Sequence, residues 1–321
     1  MRLGVLTVPL QSWLLDDVVP YLSALGVQTV ELGTGGYTND AHLRLSEHLD
    51  HPDKIQHVQE LLKKYNMQIS GLSCHGNPVH PNAEIAARDH KTFEDTVLLA
   101  EQLGLDTVIT FSGCPGDSPT SQYPNWVTCA WPPDYATILE YQWNEVLIPY
   151  WKQAVAFANE HGVTKIALEM HPGFCVYNPA TLLRLREAVG DTIGANFDPS
   201  HLIWQGMDPV AAIRELAGAI YHFHAKDTKV DEINVARNGV LDTQNMGNFL
   251  ERSWVFRTVG YGIGTQAWKD ILSTLRKVGY EGAVSIEHED GLMSVREGLE
   301  KAIACLKDTM MFEDPAQMWW A

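Results

Sequence analysis

Residues 164–173 read TKIALEMHPG. The run Lys165-Ile166-Ala167-Leu168 has the length and apolar content of a strand buried on both faces, yet it closes on Glu169, passes Met170 and turns at His171-Pro172-Gly173. A carboxylate at the mouth of a buried strand is costly unless something there uses it. The arrangement recurs along the chain. Strands are predicted at 2–7, 28–32, 68–74, 106–111, 165–170, 192–197, 219–225 and 283–289. Helical patterns lie between them, for example at 15–26, 90–104, 144–162, 265–279 and 294–308. Eight βα units in 321 residues predict an α/β fold, a single (β/α)8 TIM barrel, in preference to a doubly wound sheet. The barrel is placed at 1–308 and a C-terminal tail at 309–321.

Composition bounds the function. With 45% hydrophobic and 20% charged residues the chain can bury a large core. Lys and Arg number 23 against 40 Asp and Glu, and a net charge of −17 without a basic run argues against nucleic acid and anionic membranes as partners. There is no run of about 18 apolar residues. The start MRLGVLTVPL lacks the basic region and long apolar stretch of a signal peptide, so a cytoplasmic location is expected. Five cysteines without a CxxC pair argue against a disulfide framework or a thiolate zinc site.

Two segments exceed ordinary βα loops, 112–138 after the fourth strand and 227–264 after the seventh. They hold Tyr123, Trp126, Trp131, Trp254 and Phe256, too many aromatics for disorder, and are read as folded walls over the site. Aromatic walls suit the apolar faces of a sugar ring, which makes Trp131 a candidate substrate contact; the plainer alternative is a packed cap or a subunit contact. In the tail FEDPAQMWWA, Trp319 and Trp320 are expected to dock on this or a neighbouring subunit. GYGIG at 260–264 follows no strand of a nucleotide-binding unit and reads as a turn into the next helix.

Strands five to eight deliver Glu169, Asp198, His224 and Glu287, one residue per βα unit. In a barrel successive strands are spatial neighbours, so these side chains converge. Three converging carboxylates raise one another's pKa unless a cation joins them. Singly, an Asp before Pro is often a turn residue and a strand His a core hydrogen-bonding group; four suitable residues at matching places outweigh those readings. Three oxygens and one imidazole suit Mn²⁺, Co²⁺ or Mg²⁺ in a site with open positions, with Mn²⁺ favoured. Glu31 at the end of the second strand and His75 after the third are candidates for binding substrate hydroxyls, against plain hydrogen bonding within the rim. His171 and His288 follow proposed ligands and are candidate supporting groups, while Lys226 and Asp227 could pair with each other or touch substrate.

EMHPG, NFDPSH, HFHAKD and SIEHED, with CHGNPVHP after the third strand, make the chain similar to the xylose isomerase-like TIM-barrel superfamily of sugar isomerases and epimerases over about residues 3–308. The resemblance implies one divalent cation on Glu169, Asp198, His224 and Glu287, and a contact from His201 to a substrate oxygen. Ketose epimerases of the family place an arginine six residues beyond the strand-seven His, but position 230 is Val, leaving Arg237 or Arg257 as replacements. The implied chemistry is abstraction of a proton beside a carbonyl, with Glu169 and Glu287 working from opposite faces of a keto sugar or polyol derivative. The alternative is a β-eliminating lyase on 3-oxo-glycosides, the aromatic loops holding an aglycone and a small partner subunit being required in some relatives. A third reading, an apurinic-DNA endonuclease, lacks the histidines such enzymes use after strands four and seven, and the acidic chain disfavours phosphate-backbone binding. An unphosphorylated substrate and a homo-oligomer are expected.

Overall fold

Side-chain alternation along each strand decides which groups enter the barrel and which pack under the helices. The computed structural model describes residues 1–318 and 320. Its strands are β1 (Arg2–Leu6), β2 (Thr29–Gly33), β3 (Gln68–Ser73), β4 (Thr107–Phe111), β5 (Lys165–Glu169), β6 (Ile193–Phe197), β7 (Ile220–Ala225), β8 (Asp227–Val230), β9 (Trp254–Arg257) and β10 (Ala283–Ile286). Eight of them close a parallel barrel in the order β1-β10-β7-β6-β5-β4-β3-β2, while β8 and β9 form a separate antiparallel pair. Helices fill the connections, as the βα pattern requires. Outward-facing residues such as Phe197 and Phe223, stacked 5.7 Å apart, pack with Trp268 of the helix Thr265–Lys277.

The barrel interior departs from the usual aliphatic filling. Glu31, Ser73, Asn196, His222 and Ser285 are all buried there. Each finds hydrogen-bond partners among the others or with His224. A polar layer thus lies under the carboxyl ends of the strands.

Three element boundaries differ from the sequence pattern. The helix expected from residue 90 begins at Ala83, where Asn82 accepts the N–H of Glu84 at 2.9 Å and caps it. Its first turns are largely exposed, so they carry no apolar period to read. The first long insertion ends at Pro132: Pro133 opens a helix to Glu140 that continues through a π-helical stretch, Tyr141–Leu147, into Ile148–Glu160. Proline is tolerated in a first helical turn, although the Pro-Pro pair reads as loop. The second insertion contains the β8–β9 hairpin and the helix Glu232–Asn238. The last helix, Val295–Thr309, ends at the predicted start of the tail; Trp320 is exposed and Trp319 lies outside the described residues. Among the described residues no helix is long and apolar enough to cross a membrane.

Candidate active site

The four strand-end residues meet. One donor atom from each of Glu169, Asp198, His224 and Glu287 lies within 4.8 Å of the others. Glu169 is the last residue of β5, in register with Phe111 and Asn196 of the neighbouring strands. Asp198 follows β6 and caps the short helix Pro199–Trp204: its Oδ1 accepts the Ser200 N–H at 2.8 Å, which leaves Oδ2 for the site. His224 Nδ1 stands 3.2 Å from Glu169 Oε2 and 3.1 Å from Glu287 Oε2.

The donors suit a cation. Asp198 Oδ2, His224 Nδ1, Glu287 Oε2 and His201 Nε2 are all buried without a hydrogen-bond partner, although ion-pair distances link them. Buried polar atoms are seldom left so, and a shared ion satisfies several at once. Burial, with the charges of Glu169 and Glu287 nearby, pushes the Asp198 carboxyl up to about 7 against the pull of Lys226. A divalent ion removes that penalty.

The surrounding groups hold Glu169 in place. Burial pushes its carboxyl up, but the imidazoles of His201, His224 and His75 close around it outweigh this and keep it well below the ordinary range. His75 Nε2 lies 3.0 Å and Asn196 Nδ2 3.1 Å from Oε2, while His201 Nε2 lies 3.1 Å from Oε1. His201 is neutral, lowered to about 3 by burial and by the neighbouring His171 and Lys226.

Lys226 sits two residues past His224. Its buried Nζ is 2.7 Å from Glu287 Oε2, 3.1 Å from Asp198 Oδ2 and 3.1 Å from Glu289 Oε2. Burial would lower its pKa, yet these carboxylates raise it well above the ordinary value, so it is an ammonium. It does not pair with Asp227, which turns the other way. The importance of Lys226, Glu289 and Asn196 was readable in principle from the period of two, since each stands two residues from a site residue or its strand neighbour.

A cavity of about 510 Å³ opens over these groups, lined by His75, Phe111, Glu169, Phe174, Lys226 and Glu287 among others. Phe111 and Phe174 stack 4.2 Å apart on one wall. Tyr37 reaches the rim because Gly36, at φ 65°, lets the backbone pass over His75; a Cβ there would lie 1.9 Å from the His75 carbonyl oxygen.

Apart from His171, which lines the cavity, the other sequence candidates lie away from it. Glu31 is fully buried below the ligand layer: it stands mid-strand in β2 and accepts His224 Nε2 at 2.9 Å, Ser285 Oγ at 2.7 Å and Ser73 Oγ, so every contact is internal. Arg257 turns from the cavity to Asp290, Nε to Oδ2 at 3.0 Å. Trp131 is 73% exposed and lines neither this cavity nor the one beside it. Arg237 belongs to the outlying helix Glu232–Asn238. His171 packs 4.0 Å from the His201 ring, and His288 packs on Gly298 away from the ligands.

With fold and site in view, the chain belongs to the xylose isomerase-like TIM barrel family, whose model matches residues 19–309. It is 42% identical over 313 residues, 97% of this chain and 99% of the relative, to the uncharacterized protein YfiH of Bacillus subtilis (strain 168). It is 25% identical to the inosose dehydratase of Clostridium tetani (strain Massachusetts / E88) over 126 residues, 39% of this chain and 40% of that one. Three solved structures share the fold over 96% of this chain. They are the probable 3-DHS dehydratase AsbF of Bacillus anthracis (TM-score 0.67, 18% identity, 99% of that chain), a D-tagatose 3-epimerase-like protein (0.65, 20%, 97%) and the IOLI protein with a binding zinc atom (0.63, 17%, 96%). Among these, one relative is described as a dehydratase, one structure as a probable dehydratase and one as epimerase-like.

Proposed function

We propose that this protein is a divalent-metal-dependent enzyme that takes a proton from the carbon beside the carbonyl of a keto sugar or polyol-derived ketone and returns it as an isomer or epimer. The observation that carries the reading is the meeting of four donor atoms, from Glu169, Asp198, His224 and Glu287, beside a cavity of sugar-accommodating size. A cation held by these residues, Mn²⁺ by preference of the donor set, supplies Lewis-acid stabilisation of charge on the carbonyl oxygen.

The protein's own groups do the rest. Glu169 is ionised and held by hydrogen bonds from His75 and Asn196, so its carboxylate is ready to accept the proton. Glu287, three strands round the barrel, returns a proton from another side. Neutral His201 donates to a substrate oxygen. Phe111 and Phe174 exclude water from the reacting carbon.

Lys226 favours a second outcome. Its ammonium lines the cavity beside Glu287, where it could protonate a leaving oxygen on the next carbon. The C–H bond then breaks with its proton on Glu169, the C–O bond breaks with the oxygen protonated by Lys226, and a carbon–carbon double bond forms. The relatives described as dehydratases support this β-elimination reading.

The test is solvent exchange. Mn²⁺-loaded protein is incubated in D₂O with ketoses, inososes and 3-oxo-glucosides while deuterium incorporation beside the carbonyl is followed by NMR. Metal-dependent exchange, reduced roughly 100-fold or more in a Glu169→Gln variant that keeps the circular dichroism of the folded barrel, is expected. Near wild-type exchange in that variant rejects the proposal, and the product, epimer or enone, separates the two outcomes.

A further inference from the structure

Among the described residues that line the metal cavity, Lys226 is the only lysine or arginine, against the carboxylates of Glu169, Glu287 and Glu289. The arginines that the sequence offered as substrate contacts do not reach it: Arg257 is held by Asp290, and Arg237 belongs to an outlying helix. Glu289 stands two residues beyond Glu287. Both side chains line the cavity, while His288 between them packs on Gly298.

Glu289 differs from the other carboxylates around Lys226. An ammonium has three hydrogens to give. Lys226 Nζ lies 2.7 Å from Glu287 Oε2, 3.1 Å from Asp198 Oδ2 and 3.1 Å from Glu289 Oε2, so each has a carboxylate to meet. Asp198 and Glu287 belong to the four-donor metal centre, and Glu289 does not. Its side chain is 48% exposed, against 15% for Glu287 and none for Asp198, which puts it where an entering molecule meets it. A divalent ion and the ammonium offset the three ligand carboxylates, since a metal-bound imidazole is neutral. Glu289 then leaves one negative charge in excess. An anion entering this partly enclosed space meets that charge where water screens it poorly, and finds no hydrogen of Lys226 unclaimed. Uncharged hydroxyls meet no such opposition.

We propose that Glu289 is a specificity-determining residue: by pairing with Lys226 it neutralises the cation of the cavity wall and restricts the site to uncharged ketones, against ketones that carry a phosphate or carboxylate. This names the substrate class for the proton-abstraction reading above and rests on that reading.

The experiment is calorimetric titration of the Mn²⁺-loaded full chain with D-fructose and with D-fructose 6-phosphate, at about pH 7.5, where the phosphate carries close to two charges. The wild type is expected to hold the phosphate at least about tenfold more weakly than the free sugar. Glu289→Gln should gain about tenfold for the phosphate, with the free sugar changed less than about twofold, as loss of one unit charge several ångströms away provides. Glu289→Ala, the second variant should the first fail to fold, should show the same gain. Added KCl should narrow the wild-type gap. A wild type that binds the phosphate as tightly as the free sugar overturns the proposal. So does a phosphate affinity that neither substitution raises, and this holds equally when the wild type binds neither sugar; a gain for the phosphate alone then supports it. Deuterium exchange on the ketone panel separates the failures. Exchange on uncharged ketones with no gain in the variants removes the role of Glu289 alone, whereas a gain without exchange on any ketone keeps the charge selection and removes the proton-abstraction reading beneath it.

Discussion

Glu31 holds His224 from below, with both carboxylate oxygens 2.9 Å from Nε2, so the imidazole presents Nδ1 to the other ligands. Burial would raise the Glu31 pKa, but His224 and His222 outweigh it and lower it to about 2, which keeps the acceptor charged. Glu31→Gln should therefore weaken Mn²⁺ binding about tenfold or more, measured by calorimetry on chelator-stripped protein. Unchanged affinity would reduce Glu31 to a packing group. The residue types of the centre were legible because Glu169, Asp198, His224 and Glu287 stand at corresponding strand ends. Glu31 was misplaced because a carboxylate two residues before a strand end lies one layer lower, and the exact end of β2 depends on pairing with its neighbours. Aromatic content showed that the insertions fold, yet it could not separate Trp126, packed edge-on against Tyr177, from exposed Trp131.

The insertion after β7 is anchored at its root by Asp227. Its buried carboxylate accepts the backbone N–H groups of Gly260, Gly262 and Ile263 at 2.9–3.0 Å and the Trp268 indole N–H at 2.9 Å. This gives the GYGIG segment its purpose: a Cβ at Gly262 would lie 2.3 Å from Asp227 Oδ1, so glycine permits the wrap. With the Thr228 N–H, Asp227→Ala leaves five donors without their charged acceptor and should cost on the order of 3–5 kcal/mol. The urea midpoint should fall, with faster proteolysis within 227–264; an unchanged midpoint would refute the anchoring role. The hairpin itself pairs Asp227 with Arg257 across 29 intervening residues and Val230 with Trp254 across 23, a closure that local propensity does not announce.

At the scale of the molecule, four carboxylates and a lysine are gathered at one end of a barrel with a net charge of −17. Such a centre gains from an ion that only the folded chain can bind. Mn²⁺ at a hundredfold excess over its Kd should stabilise the chelator-stripped protein by about 2.7 kcal/mol, seen as a rise in Tm and reversed by EDTA. A Tm indifferent to divalent ions would count against the metal centre.

The sequence by itself determined the eightfold alternation of strand and helix, the closed barrel it implies, and the set of four residues at the mouth, because period, length and chemical type are local properties. Tertiary structure decided what faces those four. It placed Glu31 beneath His224, drew Lys226 among Asp198, Glu287 and Glu289, turned Arg257 to Asp290 and stacked Trp204 on Trp254 across 50 residues of chain. Those pairings depend on barrel closure and on the packing of the second insertion against the barrel, and such long-range contacts leave no period in the chain.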